Sequence, residues 1–176
     1  MELISFTILL LLTGLKNITV TMNVFYKLAE TSEEFEQAKE LFIEYANSLD
    51  IDLSFQNFSG ELESVRLQYD KPTGALLLVY QDGSLAGCAG IRRLDDEIAE
   101  LKRMYVRPDF RGFGIGKELL ERAIATAARI GYKKVRLDTL SSMTKARSLY
   151  ESFGFEPIDP YYFNPIEETI YMERVI

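Results

Sequence analysis

Apolar and polar positions recur along this chain with periods that separate strands from helices. Residues 23–28 read as a strand. Thr31-Ser32-Glu33-Glu34 then sets a capping hydroxyl three residues before a carboxylate, and Phe35, Ala38, Phe42, Tyr45 and Leu49 follow on one helical face. A second short helix is expected over 58–69, ending in the turn Lys71-Pro72-Thr73-Gly74. Three strands come next, over 75–81, 85–93 and 98–106. Asp82-Gly83 and Asp95-Asp96 punctuate them, which predicts an antiparallel meander. Ile115, Leu119, Leu120, Ala123, Ile124, Ala127 and Ile130 mark the buried face of a long helix that stops at Gly131. A strand over 134–139 and a helix over 144–152 closed by Gly154 follow. Two last strands, the final one over 169–175, complete an order β-α-α-β-β-β-α-β-α-β-β of mixed α/β class. No internal repeat or low-complexity linker interrupts it.

Residues 1–21 break with this pattern. The stretch 4–12 is almost purely apolar, yet far shorter than the ~20 residues that span a bilayer. With Glu2 in front and no small-x-small cleavage site behind, it also lacks the shape of a secretory signal. The expectation is therefore an apolar N-terminal extension over 1–21 outside the fold, with Met22 as the functional start and one domain over 22–176. The rival reading is a membrane-associating segment, without stable membrane insertion.

Composition narrows the chemistry. A chain of 176 residues, 47% hydrophobic and 12% aromatic, suffices for one domain with a proper core. A net charge of −7 argues against a general nucleic-acid binder. Cations nevertheless cluster locally, at Arg92, Arg93, Lys102, Arg103, Arg107, Arg111 and Lys117, which suggests a basic pocket for an anionic cofactor. The single Cys88 excludes an intrachain disulfide and a multi-cysteine metal site, and fits a reducing cytoplasm. With no histidine, imidazole bases and histidine-metal sites are gone. Acid–base work falls to carboxylate, Tyr, Lys, Cys or water, and no metal is expected.

Residues 106–120 read V-R-P-D-F-R-G-F-G-I-G-K-E-L-L: a strand end, a bend, glycines at 112, 114 and 116, then a helix. Glycine lets successive N–H groups turn toward one oxyanion, and the helix start adds its positive end. A Walker A loop needs four residues between its glycines and a hydroxyl after the lysine; here there are three, and Glu118 follows Lys117. A dinucleotide fingerprint fails as well, because Lys117 or Leu119 stands where its third glycine belongs. A plain chain reversal remains the bland alternative, although a turn needs only one or two glycines. What is left is R-x-x-G-x-G, carried by Arg111, Gly114 and Gly116. It resembles the pyrophosphate-binding motif of the GNAT superfamily of acyl-CoA-dependent N-acetyltransferases. A second motif, Ala146-Arg147-Ser148-Leu149-Tyr150-Glu151-Ser152-Phe153-Gly154-Phe155, is similar to the family's A-x-x-L-Y-x-x-x-G-F signature.

The resemblance covers about 24–175 and implies a GNAT fold. In that fold a mostly antiparallel twisted sheet of about seven strands, flanked by about four helices, is splayed between its fourth and fifth strands. It implies acetyl-CoA as cosubstrate, held by the backbone of Met104 and Val106 and by the loop from Arg111 through Gly112, Phe113, Gly114, Ile115, Gly116 and Lys117. Glu100 matches a glutamate that serves some members as general base. A carboxylate with an ordinary pKa of about 4.3 is a weak base for an ammonium unless burial raises it or water relays the proton. The alternative for Glu100 is a surface glutamate paired with Arg103 or Lys102. Tyr150 matches the tyrosine assigned as general acid at the thioester sulfur; its alternative is a core aromatic. An asparagine common in the second motif is replaced by Met143.

Acceptor contacts are expected from Arg92 at the end of the third strand, and from Tyr161, Tyr162 and Asn164 in the aromatic, proline-rich connection 157–165. The bland alternatives are solubilising arginines and aromatics that cover the sheet edge. Cys88 reads as a small buried residue. The function implied is a cytoplasmic N-acetyltransferase acting on a small primary amine by direct attack in a ternary complex. A peptide or protein acetyltransferase and a non-catalytic acyl-CoA-binding module are the alternatives. A homodimer is compatible with the resemblance.

Overall fold

The meander expected over 75–106 forms the middle of the sheet in the computed structural model, which describes residues 2–10, 18–49 and 57–176. Eight strands join among these residues: β1 (Glu2–Leu10), β2 (Ile18–Leu28), β3 (Ala75–Gln81), β4 (Ser84–Arg93), β5 (Ile98–Val106), β6 (Lys134–Leu140), β7 (Glu156–Ile158) and β8 (Thr169–Val175). Their spatial order is β1-β2-β3-β4-β5-β6-β8-β7, and β5–β6 is the one parallel neighbour pair. Asp82 (φ 49°) and Gly83 (φ 82°) make the two-residue turn of the β3–β4 hairpin. The expectation set residues 1–21 apart from the fold. The backbone of Glu2–Leu10 runs antiparallel to β2 at the sheet edge, β2 itself starts before Met22, and residues 11–17 lie outside the described ones. The strands β2 to β8 are the seven of the expected fold.

Helices α1 (Ser32–Ser48), α2 (Phe58–Glu63), α3 (Val65–Tyr69), α4 (Ile115–Ile130) and α5 (Thr144–Ser152) cover the sheet. The capping box is present: the Glu34 N–H donates to Thr31 Oγ1 at 3.3 Å and the Thr31 N–H to Glu34 Oε2 at 3.0 Å. The single helix expected over 58–69 is two. Ser64 leaves helical geometry (φ −120°, ψ 20°), and its hydroxyl donates back to the Gly60 carbonyl at 2.5 Å, a contact that bends helices.

Two cores sandwich the sheet. Leu77, Val79, Ala89, Ile91 and Leu101 face α4 and α5, whereas Leu76, Leu78, Cys88 and Tyr105 face α1 and α3. Burial on both faces explains why β3 reads A-L-L-L-V without alternation.

Two irregularities position the site. Cys88 pairs with Tyr105 and Gly90 with Lys102, so β5 carries one extra residue, and Arg103 at this bulge has φ 54°. The bulge resets the alternation, so that Leu101, Met104 and Val106 all turn toward the α4 side. A left-handed non-glycine residue costs about 1–2 kcal/mol. Buried Glu61 offsets it by accepting from Arg103 Nε at 3.1 Å and Nη2 at 2.5 Å, while Tyr69 donates to the same carboxylate at 2.6 Å. Opposite the bulge, Gly87 has no room for a side chain, since a Cβ there would stand 2.3 Å from the Tyr105 carbonyl oxygen. The second irregularity is the splay. Pairing of β5 with β6 covers only Ile98↔Lys134, Ala99↔Val135 and Glu100↔Arg136, and beyond it the strands diverge into a wedge. No helix among the described residues is long and apolar enough to cross a membrane.

Candidate active site

At the open end of the wedge, β5 runs into a one-turn 3-10 helix, Pro108–Phe110, and then into the glycine loop. Gly112 (φ 89°) and Gly114 (φ 78°) adopt the left-handed region that only glycine enters freely, and Gly114 starts α4 without a side-chain cap. The first closed intrahelical bond is from the Glu118 N–H to the Gly114 carbonyl at 3.2 Å. Among the described residues nothing accepts from the N–H groups of 112–117, so the positive end of α4 is open to a ligand.

These amides border a cleft of about 720 Å³. Met104 and Val106 form one wall, Met143, Ala146 and Leu149 the other, and Arg111, Gly112, Gly114, Ile115 and Gly116 the mouth. Phe113 and Lys117 do not line it; the Phe113 ring packs against the α4-side core and Lys117 is exposed.

The run of cations that suggested a basic pocket resolves mostly into ion pairs. Arg92 meets Glu100, Arg93 meets Asp96, Lys102 meets Asp138, Arg103 meets Glu61 and Arg107 meets Glu44. Arg111 and Lys117, together with Lys145 across the cleft, have no carboxylate partner among the described residues. The uncompensated charge thus gathers where an anion would enter. Arg111 also ties the loop to the strand, its Nε donating to the Val106 carbonyl at 2.8 Å.

Deeper in, a cavity of about 50 Å³ opens between the diverging strands and shares Met104 and Met143 with the cleft. It is lined from both faces of the sheet, by Leu101, Leu137 and Tyr150 on the α4 side and by Lys102, Asp138 and Tyr45 on the other. Tyr150 is buried, and among the described residues its hydroxyl finds only the Met104 sulfur, at 4.0 Å. Burial above all, then the charges of Tyr45 and Asp138, push this phenol well above its ordinary pKa, so it stays protonated. Met143, in the place of the expected asparagine, caps the start of α5 and lines both spaces, and its sulfur accepts from the Thr139 hydroxyl at 3.8 Å.

Glu100 is not a surface residue, being 1% exposed. Its main partner is neither Lys102 nor Arg103 but Arg92, directly opposite on β4, whose Nε donates to Oε2 at 2.7 Å. Tyr161 donates to Oε1 at 2.9 Å, and Lys102 Nζ stands 3.8 Å away. Arg92 gives its remaining arm to Gln68 Oε1 at 2.8 Å. Arg92 and Glu100 border a separate shallow pocket rather than the wedge cavity.

Tyr161 and Tyr162 stack edge to face with each other and with Tyr171, with ring centroids 5.2–5.3 Å apart. Asn164 shapes the loop, its Oδ1 accepting from the Ile166 N–H at 2.9 Å. Phe163 points to solvent, 88% exposed.

Sequence reasoning missed the Lys102–Asp138 pair at 2.7 Å, which spans β5 and β6 just past their last paired residues. The signal for it was the alternation in K-V-R-L-D-T-L, which sets Asp138 on the face opposite Leu137. Burial opposes the charge of Asp138, but the Lys102 ammonium and the Tyr162 hydroxyl hold its carboxyl below the ordinary range.

Comparison with known proteins agrees with this architecture. Residues 33–155 match the acetyltransferase (GNAT) family. An uncharacterized N-acetyltransferase of Dictyostelium discoideum is 34% identical over 200 residues, covering 79% of this chain and 93% of that protein. An acetyltransferase structure from Streptococcus agalactiae superposes with a TM-score of 0.71 at 22% identity, over 87% of this chain and 98% of the other. A GNAT family acetyltransferase from Elizabethkingia anophelis, solved with acetyl-CoA bound, gives a TM-score of 0.59 at 22% identity over 87% and 98%. With a family match across most of its length and a splayed sheet that ends on a glycine loop, the chain belongs to the GNAT acetyltransferases and is an acyltransferase enzyme.

Proposed function

We propose that the protein transfers an acetyl group from acetyl-CoA to the primary amine of a small molecule, by direct attack while both are bound. The observation that carries this reading is the pairing of two unsatisfied donor sets along one cleft. The open amides of 112–117 lie at its mouth, and the Tyr150 hydroxyl lies at its inner end. A diphosphate suits the first and a departing sulfur anion the second. The acetyl-CoA bound by the Elizabethkingia relative supports the choice of donor.

In this reading the amides, aided by Arg111 and Lys117, hold the pyrophosphate, and the backbone of Met104 and Val106 pairs with the pantetheine arm. The acetyl group enters the wedge, and the amine approaches from the α1 side past Tyr161, Tyr162 and Asn164. The amine first loses a proton, for which we assign Glu100 as the acceptor: its Oε2 is ion-paired to Arg92, and its Oε1 accepts from Tyr161. Because Glu100 does not line the cavity, a water or the Tyr161 hydroxyl passes the proton to it. Nitrogen then bonds to the carbonyl carbon, the C–S bond breaks with its electrons going to sulfur, and the second nitrogen proton, made acidic by the new bond, passes to the departing CoA thiolate, which leaves as the thiol. Tyr150, whose phenol holds its proton more tightly than a thiol of pKa about 8.5, stabilises that thiolate by a hydrogen bond rather than by full transfer. Arg92 keeps Glu100 oriented and ion-paired. A cytoplasmic location fits the single, buried, unbridged Cys88.

The test is release of CoA thiol from acetyl-CoA across a panel of amino acids, polyamines, aminoglycosides and short peptides. Turnover with a small amine is the expected result. Turnover with peptides alone would overturn the small-molecule acceptor and leave a peptide acetyltransferase.

A further inference from the structure

Among the described residues, Lys102 is the only ammonium that lines the wedge cavity. It is 7% exposed and sits at the point where β5 and β6 part. Asp138 fixes it at 2.7 Å, Glu100 lies 3.8 Å away, and the Tyr162 ring is 5.6 Å from Nζ. An ammonium has three N–H donors, and among the described residues Asp138 accepts one of them. Lys102 is therefore a pinned cation with donor capacity to spare, beside a small cavity that the Tyr150 side chain also lines. The cavity offers about 50 Å³, against the ~10–15 Å³ that one water needs on the same measure, so a group of a few atoms such as an acetyl fits. Fixed positive charge in such a place acts most strongly on negative charge that develops there.

From this geometry we infer that Lys102 is a catalytic residue that donates a hydrogen bond to the carbonyl oxygen of the acetyl group and stabilises the oxyanion formed on attack, with Asp138 as its positioning residue. The inference rests on the acetyl-CoA reading above. As nitrogen bonds to the carbonyl carbon, the π pair of the C=O bond moves onto oxygen, where the Lys102 N–H meets it. The pair then returns to re-form C=O, the C–S bond breaks with its electrons going to sulfur, and the proton left on nitrogen goes to that sulfur, which yields amide and CoA thiol. Lys102 keeps its proton throughout. The two side chains divide the work, with Lys102 serving the oxygen and Tyr150 the sulfur.

The experiment needs no acceptor. Isotope-edited infrared difference spectroscopy of [1-13C]acetyl-CoA bound to the full-length protein reads the carbonyl stretch directly, and an ammonium donating to the oxygen lowers it. Lys102→Met alone would strand the buried Asp138 carboxylate, so the variant carries Lys102→Met together with Asp138→Asn. The parent is expected to show the carbonyl band below that of free acetyl-CoA. The double variant is expected to gain thermal stability from acetyl-CoA as the parent does, with the band returned to the free position. A band that is unshifted in the parent, or equally shifted in the double variant, overturns the inference alone. Loss of donor binding in the double variant overturns it as well, by making Lys102 a structural group. A parent that acetyl-CoA does not stabilise at all overturns the donor reading and this inference together.

Discussion

Tyr150→Phe removes one oxygen from a buried side chain and leaves its ring packing on Phe155 (centroids 5.9 Å apart) unchanged. Among the described residues that oxygen has only a thioether at 4.0 Å, so folding loses no strong hydrogen bond, and the melting temperature should hold or rise slightly. The loss comes in the transition state. A hydrogen bond to a charged group is worth about 1.5–3 kcal/mol, and 1.36 kcal/mol corresponds to about tenfold in rate. The expected fall in kcat is therefore about 10- to 100-fold, with KM for acetyl-CoA unchanged, because the hydroxyl meets sulfur only as the charge develops. The assay is thiol release at saturating donor and acceptor, run beside a thermal melt of the same preparation. An unchanged kcat would remove Tyr150 from the leaving-group role. A lowered melting temperature with a proportional loss of active protein would instead make it a structural aromatic.

The other expectations test the scaffold and the loop. Gly116→Ala meets no clash, its Cβ lying 4.0 Å from Met104 Cε and Val106 Cγ2, so the melt should be unaltered while the methyl crowds the cradle and raises KM for acetyl-CoA; an unchanged KM would move the pyrophosphate elsewhere. Glu61→Gln leaves Arg103 buried without its anion at the bulge, and chemical denaturation should show a loss of about 3–5 kcal/mol. A loss below about 1 kcal/mol, within the range of ordinary surface substitutions and caps, would show that the bulge holds without it. Burial works against the charge of Glu34, but Lys27 and the N–H groups of Glu30 and Thr31 outweigh it and lower its pKa from 4.5 to about 2. Its stabilisation is full above the unfolded value near 4.5 and is lost as pH falls toward about 2. In Glu34→Gln the acid arm of the stability curve should therefore be shallower over that range, and an arm as steep as the parent's would assign the acid sensitivity to other carboxylates.

Much of this architecture was legible locally. The Thr31 to Glu34 capping box, the Asp82-Gly83 turn and the stops at Gly131 and Gly154 each depend on a few adjacent residues, and each stands where its chemistry required. The break at Ser64 was not legible, because a serine inside an apolar-periodic stretch reveals its back-bond to Gly60 only once the helix exists. The strand over Glu2–Leu10 was passed over because a short, almost uniformly apolar run carries no period to distinguish strand from helix or tail. In the site, the glycine loop and Tyr150 were found because their motifs are contiguous, whereas Asp138 belongs to none.

What the sequence determined by itself is the set of conformational demands, namely left-handed glycines at 112 and 114, an uncapped helix start after them, and a buried tyrosine on a short amphipathic helix. What only the tertiary structure decided is which charges remain free. Seven cations that look like one basic patch along the chain separate into five ion pairs and two open charges, and Glu100 takes Arg92 rather than the neighbouring Lys102 as its main partner. The reason is physical: ion pairing depends on distance in space. Distance between residues as far apart in sequence as Lys102 and Asp138 is set by strand register, by the bulge at Arg103 and by the divergence of β5 from β6, none of which a local pattern encodes.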